Sequence, residues 1–284
     1  MISVCFIIKN ALINGYPFWE SLESCLPIAD EIVISEGNSD DKTMSYLEKF
    51  SERHPGIVKM FHDDWNSVNS PNGEVIAEIS NRNLRRCQHN WIYYLQADEI
   101  IHPKNYSFIR MISSSILPVR TVEFGFVHFL ESWEPIMPQN PLNRPGFYNV
   151  AIRMVKNDPK IFLRGDGWTF GGETNPMTLA EWAPQYLYHL GWVFPKNIAL
   201  KTIEMIKIRT TDNEWKKKAE EAKKNLVSGQ FPQVKQFDLS KFDLPPQIKR
   251  LVGMNEYLPP KEITSLCCKE AYDFSRRRNY NHLK

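Results

Sequence analysis

Short apolar runs alternate with stretches whose apolar residues recur at helical spacing. Ile2–Ile8 (ISVCFII) is continuously apolar, the signature of a strand buried on both faces. After a loop, Pro17 opens a helical pattern in which Phe18, Leu22 and Leu26 fall four apart. A second strand is predicted at 31–35 (EIVIS), followed by the turn Gly37-Asn38-Ser39-Asp40. Asp41 then caps a helix carrying Met44, Leu47 and Phe50. A third strand is expected at 57–61, a longer helix at 75–89 with Ile76, Ile79 and Leu84 inward, and a fourth strand at 91–95. This rhythm implies right-handed β-α-β crossovers and a parallel sheet. Ligands of such sheets bind beyond the carboxyl ends of the strands. The polar residues after Ile8, Ser35 and Leu95 therefore hold the chemical interest.

The pattern changes near residue 120. A strand is predicted at 119–129, then a loop with prolines at 135, 138, 141 and 145. Segments 148–155 and 160–163 read as a hairpin around Asn157-Asp158-Pro159. The glycine-rich stretch RGDGWTFGGE, Arg164 to Glu173, follows, and 186–194 is a further strand candidate. Beyond Pro195 the pattern turns helical at 198–208 and 212–227. There is neither an internal repeat nor a low-complexity segment.

With 284 residues, 42% apolar, 12% aromatic and 24% charged, the chain has a globular composition and enough length for a sizeable core. The net charge of +2 conceals an asymmetry: residues 1–200 carry 17 basic and 22 acidic side chains, residues 201–284 carry 18 and 11. The cysteines, Cys5, Cys25, Cys87, Cys267 and Cys268, are odd in number and lack a C-x-x-C pair. That excludes a disulfide framework and a zinc-finger spacing and suggests a reducing compartment. The N-terminus has no secretory pattern, and the apolar runs of about seven residues fall far below the roughly 20 needed to span a bilayer. A cytoplasmic protein without a nucleic-acid partner is expected.

Two acidic sites lie where the sheet would place a ligand. Glu36 follows the second strand, where a carboxylate can accept a hydrogen bond from the N–H of a base. Read structurally, Glu36 is a solvated loop acid and Asp41 a plain helix cap. Asp98-Glu99 follows the fourth strand, where carboxylates suit a divalent cation that bridges phosphates. The same pair also suits an ordinary strand-to-helix turn.

Taken in order, the segments IIKN (7–10), EIVISEGNSDDKT (31–43), ISNRNL (79–84) and YLQADE (94–99) give the chain its family likeness. It resembles family 2 glycosyltransferases of the GT-A fold, best over residues 1–100 and loosely to YHLGW near 190. Its subgroup is similar to lipopolysaccharide-core enzymes whose motif ends in Asp-Glu. The resemblance implies a GT-A catalytic domain over 1–195, with a mostly parallel α/β sheet flanked by helices, and a helical extension over 196–284. It implies an inverting transferase that moves a sugar from a UDP- or GDP-sugar to a glycan or glycolipid, as in polysaccharide biosynthesis. Donor binding would fall to Lys9, Asn10, Glu36, Asn38, Asp41, Arg82, Gln96, Ala97 and Asp98. Glu36 would take the place of the base-recognising acid. Asp98 would take the place of the last Asp of Asp-x-Asp, holding Mn²⁺ or Mg²⁺, with His189 as a further metal ligand. The chain departs from the family at Gln96, which replaces the first Asp of that motif with a neutral amide; three outcomes are open, weaker metal binding, recruitment of Glu99 as a ligand, or no metal.

An inverting enzyme needs a carboxylate to deprotonate the acceptor hydroxyl, and an ordinary carboxylate pKa suffices when the proton leaves late. Asp166 and Glu173 are the two candidates. The alternative is a tight turn in which Asp166 satisfies backbone N–H groups. Trp168 suits stacking on a sugar face, and His128 is a candidate for the acceptor cleft; His189, alone in an apolar strand, also reads as an ordinary core residue. The mixed-charge run Trp215 to Lys224 reads as a solvated helix face. Arg276-Arg277-Arg278 is either a solvated tail or a contact for anionic headgroups, which would make the protein peripheral at a membrane. Two other classes remain: a sugar nucleotidyltransferase, disfavoured by the single glycine in Lys9–Gly15, and a glycosyltransferase-like scaffold without catalysis, suggested by Gln96.

Overall fold

The computed structural model describes residues 1–65, 73–116, 118–137, 150–174, 176–178, 186–208, 213–231 and 237–260. Its central strand is β1 (Ile2–Ile8), every residue of which is buried. Ile2, Val4, Phe6 and Ile8 belong to one large core, whereas Cys5 and Ile7 meet separate clusters on the opposite face. Both faces are covered, so a continuous apolar run is what this position requires.

Around it lie β2 (Glu31–Glu36), β3 (Val58–His62) and β4 (Trp91–Gln96), all parallel, in the order β3-β2-β1-β4. The connecting helices are the short α1 (Ala11–Asn14), α2 (Phe18–Cys25), α3 (Thr43–Arg53) and α4 (Glu74–Leu84). The predicted βα alternation is thus present, with boundaries displaced by a few residues; the helix expected to reach 89 stops at Leu84. Two asparagines of the ISNRNL segment hold α4 in place. Asn83 Nδ2 donates to Phe6 O at 3.0 Å and Val33 O at 2.8 Å, across two strands. Asn81 exchanges hydrogen bonds of 2.8 and 2.9 Å with the Leu163 backbone.

Beyond β4 the sheet becomes mixed. The elements are β5 (Glu99–Ile101), α5 (Asn105–Ser114), β6 (Thr121–Leu130), β7 (Val150–Lys156), β8 (Ile161–Arg164), β9 (Thr169–Gly172), β10 (Pro176–Thr178) and β11 (Tyr186–Trp192). The sheet continues β4-β7-β6-β11-β5, and β10 pairs with β6. The α/β class with a mostly parallel sheet flanked by helices is the architecture found.

The hairpin expected around Asn157-Asp158-Pro159 is not formed. β7 pairs antiparallel with both β4 and β6, while β8 pairs with β9 in a separate two-stranded sheet. Asn157 is held on the β4 side, with Nδ2 donating to Cys87 O at 2.9 Å and His89 O at 3.0 Å. The chain therefore leaves the main sheet at this turn, and the glycine-rich stretch becomes the real hairpin turn, with Gly165 and Gly167 at φ 58 and 77.

The last described elements are α6 (Pro195–Ile208), α7 (Asn213–Ser228), a 3-10 turn at Leu239–Lys241 and α8 (Pro246–Leu251). Asn197 of α6 donates to Leu12 O at 2.9 Å and accepts from Tyr257 N at 2.9 Å, tying this part to α1. Tyr257 Oη donates to Glu20 Oε2 at 2.9 Å on α2. Cys5, Cys25 and Cys87 are buried free thiols. Cys267, Cys268, Arg276 to Arg278 and Pro138, Pro141 and Pro145 lie outside the described residues. Among the described residues, no helix is long and apolar enough to cross a membrane.

Candidate active site

The carboxyl ends of β1 and β4 open into a cavity of about 1500 Å³. Ordinary small-molecule pockets span roughly 300–1,000 Å³, so this one has room for a ligand of two parts. Lys9, Asn10, Gln96, Ala97 and Asp98 line it, as do His128, Asp166, Trp168, His189 and Lys201.

Strand register assembles its floor. β11 runs antiparallel to β5 with His189 opposite Glu99, and parallel to β6 with His189 opposite His128. His189 is therefore placed between β6 and the β4–β5 turn that carries Asp98. Its Nε2 stands 3.4 Å from Asp98 Oδ2, and its Nδ1 shares a hydrogen bond of 3.1 Å with His128 Nδ1. His128 stacks on Phe126 at 5.5 Å and is buried. It orients His189 so that Nε2 faces the carboxylate.

A third group joins them from α6. Lys201 Nζ lies 3.5 Å from Asp98 Oδ2 and donates to Gly191 O at 3.1 Å. The ammonium also sits over the rings of Tyr16, at 4.6 Å, and Trp192, at 4.2 Å. The pairing of β11 with β6 shifts register between His189 and Trp192, which shapes this backbone. A Cβ on Gly191 would fall 2.2 Å from Asp98 Oδ2, 2.9 Å from Lys201 Nζ and 3.1 Å from His189 Nε2, so any side chain there would push these three groups aside. Burial alone would raise the Asp98 pKa, but His189 and Lys201 outweigh it and hold the carboxyl well below its usual range. Burial lowers the Lys201 pKa, against the pull of Asp98.

Beside Asp98, Glu99 turns inward. It is fully buried with Arg153, whose Nη2 meets Oε1 at 2.7 Å and whose Nε meets both oxygens at 3.1 and 3.0 Å. Of the three outcomes that Gln96 left open, recruitment of Glu99 is the one this geometry disfavours, since its oxygens are taken by Arg153 and by Gln96 N–H at 3.2 Å. Arg153 also donates to Trp168 O at 3.2 Å, and Gln96 Nε2 donates to Gly167 O at 3.3 Å. These bonds latch the Arg164–Thr169 turn over the end of β4 and bring Asp166 and Trp168 to the cavity. Gly167 is needed for this close approach, since a Cβ there would come within 2.9 Å of Ile76 Cγ2.

Of the two base candidates, only Asp166 reaches the cavity. Glu173 is at the far end of the β8–β9 hairpin, where Oε1 pairs with Lys160 Nζ at 2.7 Å and Oε2 lies 3.6 Å from Arg120.

The other expected donor contacts divide. Asn10, at φ 51, holds the turn after β2: its backbone N–H donates to Ser39 Oγ at 2.8 Å and its Oδ1 accepts from Asp40 N at 2.7 Å. Glu36 is buried, and accepts from Asn38 N at 3.0 Å and Ser39 N at 2.8 Å. Asp41 accepts from Leu12, Ile13 and Thr43 N–H groups at 2.8–3.0 Å, capping two helix starts at once. Arg82 pairs with Glu78 along α4, away from the cavity. Glu36, Asn38 and Asp41 thus shape the rim by backbone hydrogen bonds.

Mg²⁺ and similar hard ions take one or two carboxylates with substrate phosphates, at metal–oxygen distances that put neighbouring ligands about 3 Å apart. The 3.4 Å between Asp98 Oδ2 and His189 Nε2 fits such a pair. Among the described residues, no group of three His, Cys, Asp or Glu surrounds one point, so substrate oxygens would have to complete the shell.

No protein-family model matches the chain, and no curated protein matches it. Among solved structures, Staphylococcus aureus TarS 1–349 in complex with UDP is 14% identical at a TM-score of 0.44, covering 88% of this chain and 77% of that one. The mannosyltransferase PcManGT from Pyrobaculum calidifontis, in complex with GDP-Man and Mn²⁺, is 14% identical at 0.42, covering 88% and 78%. Glucosyl-3-phosphoglycerate synthase from Mycobacterium tuberculosis, with Mn²⁺, UDP and glucosyl-3-phosphoglycerate, is 12% identical at 0.38, covering 74% and 66%. At such low identity and TM-score, the assignment of this chain rests on its own residues.

Proposed function

We propose that the chain is an inverting glycosyltransferase of GT-A type. It would transfer a sugar from a UDP- or GDP-sugar to a hydroxyl of a glycan or glycolipid. The observation that carries this reading is the convergence of Asp98, His189 and Asp166 on one cavity at the carboxyl ends of parallel strands.

In this reading the nucleoside lies toward Lys9 and Asn10, on a rim braced by Glu36, Asn38 and Asp41. Asp98 and His189 would hold a divalent cation, which supplies positive charge to the departing diphosphate. Trp168, 45% exposed at the cavity, offers a ring face to a sugar. The acceptor hydroxyl oxygen attacks the anomeric carbon while the bond to the diphosphate oxygen breaks, and the hydroxyl proton passes to the Asp166 carboxylate. The acceptor oxygen enters on the face of the anomeric carbon opposite the departing diphosphate, so the configuration inverts. The buried Glu99–Arg153 pair does no chemistry here; it fixes the turn bearing Asp166 and Trp168. Residues 1–195 would form the catalytic unit, with the helical extension adding Lys201 to its cavity.

Titration of the full chain with UDP-, GDP- and ADP-sugars, with and without Mn²⁺, tests the reading. Saturable binding of a nucleotide sugar is expected. A folded chain that binds none of them is not a glycosyltransferase. Binding without transfer to any acceptor would instead favour a scaffold.

A further inference from the structure

We propose that Lys201 binds the diphosphate of the donor, so that nucleotide binding persists without a divalent cation. The inference rests on the glycosyltransferase reading and adds a residue that the motifs do not contain. Lysine is rarely this buried without a full complement of partners. Here the Lys201 side chain is 6% exposed, yet its charge partner, Asp98, stands 3.5 Å away and is shared with His189. An ammonium has three N–H donors. Gly191 O and Asp98 Oδ2 are the two oxygens in reach among the described residues, which leaves one donor for a ligand.

The surroundings keep the charge in place. Tyr16 and Trp192 present ring faces to it, and Gly191 supplies no side chain that would fill the space. Lys201 lines the same cavity as Asp98 and Asp166, at the strand ends where an open α/β sheet binds ligands. Holding an ammonium in this position costs desolvation, and an arriving dianion offsets that cost. A phosphate oxygen turning onto Nζ would give a charge-assisted hydrogen bond, the strong kind. Gln96, the neutral residue in the Asp-x-Asp position, leaves one acid fewer for a cation, and a fixed lysine supplies positive charge of its own.

The test measures UDP and GDP binding by calorimetry in EDTA and in Mn²⁺, for the wild type and for Lys201→Gln, with melting curves on both. The wild type is expected to bind one of the two nucleotides in EDTA, and Lys201→Gln to bind it about tenfold or more weakly there. Equal affinity of the two proteins in EDTA overturns the proposal. So does wild-type binding that vanishes in EDTA and returns with Mn²⁺; this outcome needs no variant and leaves the glycosyltransferase reading standing. Absence of binding under either condition overturns both.

Discussion

Replacing Arg153 by methionine isolates the part of the fold that carries the site without entering it. Both side chains of the Glu99–Arg153 pair are 0% exposed, and three hydrogen bonds of 2.7–3.1 Å join them. The guanidinium also lies 5.5 Å from the Tyr94 ring and 5.2 Å from the Phe126 ring. Removing one member of such a pair leaves an uncompensated buried charge, at a cost of about 3–5 kcal/mol. For a chain of this size, 1 kcal/mol shifts Tm by roughly 2 °C, so Arg153→Met should lower Tm by about 6–10 °C. The double variant Glu99→Leu/Arg153→Met removes both charges and should recover most of that loss, because an apolar pair of similar volume costs little. Differential scanning fluorimetry on the wild type, both single variants and the double gives the coupling directly. An Arg153→Met Tm within about 1 °C of wild type, or a double variant that loses the sum of the singles, would refute the reasoning.

Three further outcomes follow from the geometry. Gly191→Ala pushes a methyl between Asp98, Lys201 and His189; it should weaken UDP or GDP binding at least tenfold, about 1.4 kcal/mol, while far-UV circular dichroism stays native. Asp166→Asn should cut transfer by two orders of magnitude or more, roughly the worth of a positioned base, with donor affinity held, whereas Glu173→Gln should keep turnover within about twofold. Burial raises the Glu20 carboxyl to about 7, against Arg250 and the Tyr257 hydroxyl. The native state therefore binds a proton that the unfolded chain releases near 4.5. Stability should fall as pH rises from about 5 to about 7, by up to roughly 3 kcal/mol, and level off above. Urea unfolding of wild type and Glu20→Gln at pH 5 and 8 checks this: the variant's advantage should grow with pH, and parallel profiles would contradict it.

The first hundred residues were readable because both faces of β1, β2 and β4 are buried, which makes each a continuous apolar run between turn residues. The β7–β8 boundary misled because Asn-Asp-Pro is a strong turn signal that says nothing of which strands it joins. Register with β4 and β6 is set by long-range pairing, and local sequence does not carry it. Asp98 and His189, picked out by motif and position, and Asp166, picked out by its glycines, all line the one cavity. Glu36, Asn38 and Asp41 were rightly placed at the strand end, but their side chains and amides serve the turn itself. Arg153 had a signal of its own, a lone arginine in the apolar AIRMV run. Lys201 also had one: it lies four residues after Asn197, which puts both on the buried face of α6. Neither residue names its partner, because Glu99 and Asp98 are 54 and 103 positions away.

A crystal structure of the chain with UDP or GDP bears most directly on the central claim. The account predicts the diphosphate against Asp98, His189 and Lys201, with the nucleoside toward Lys9 and Asn10 and the sugar side open to Asp166 and Trp168. A nucleotide seated away from Asp98, or a cavity that remains empty at saturating nucleotide, would contradict it.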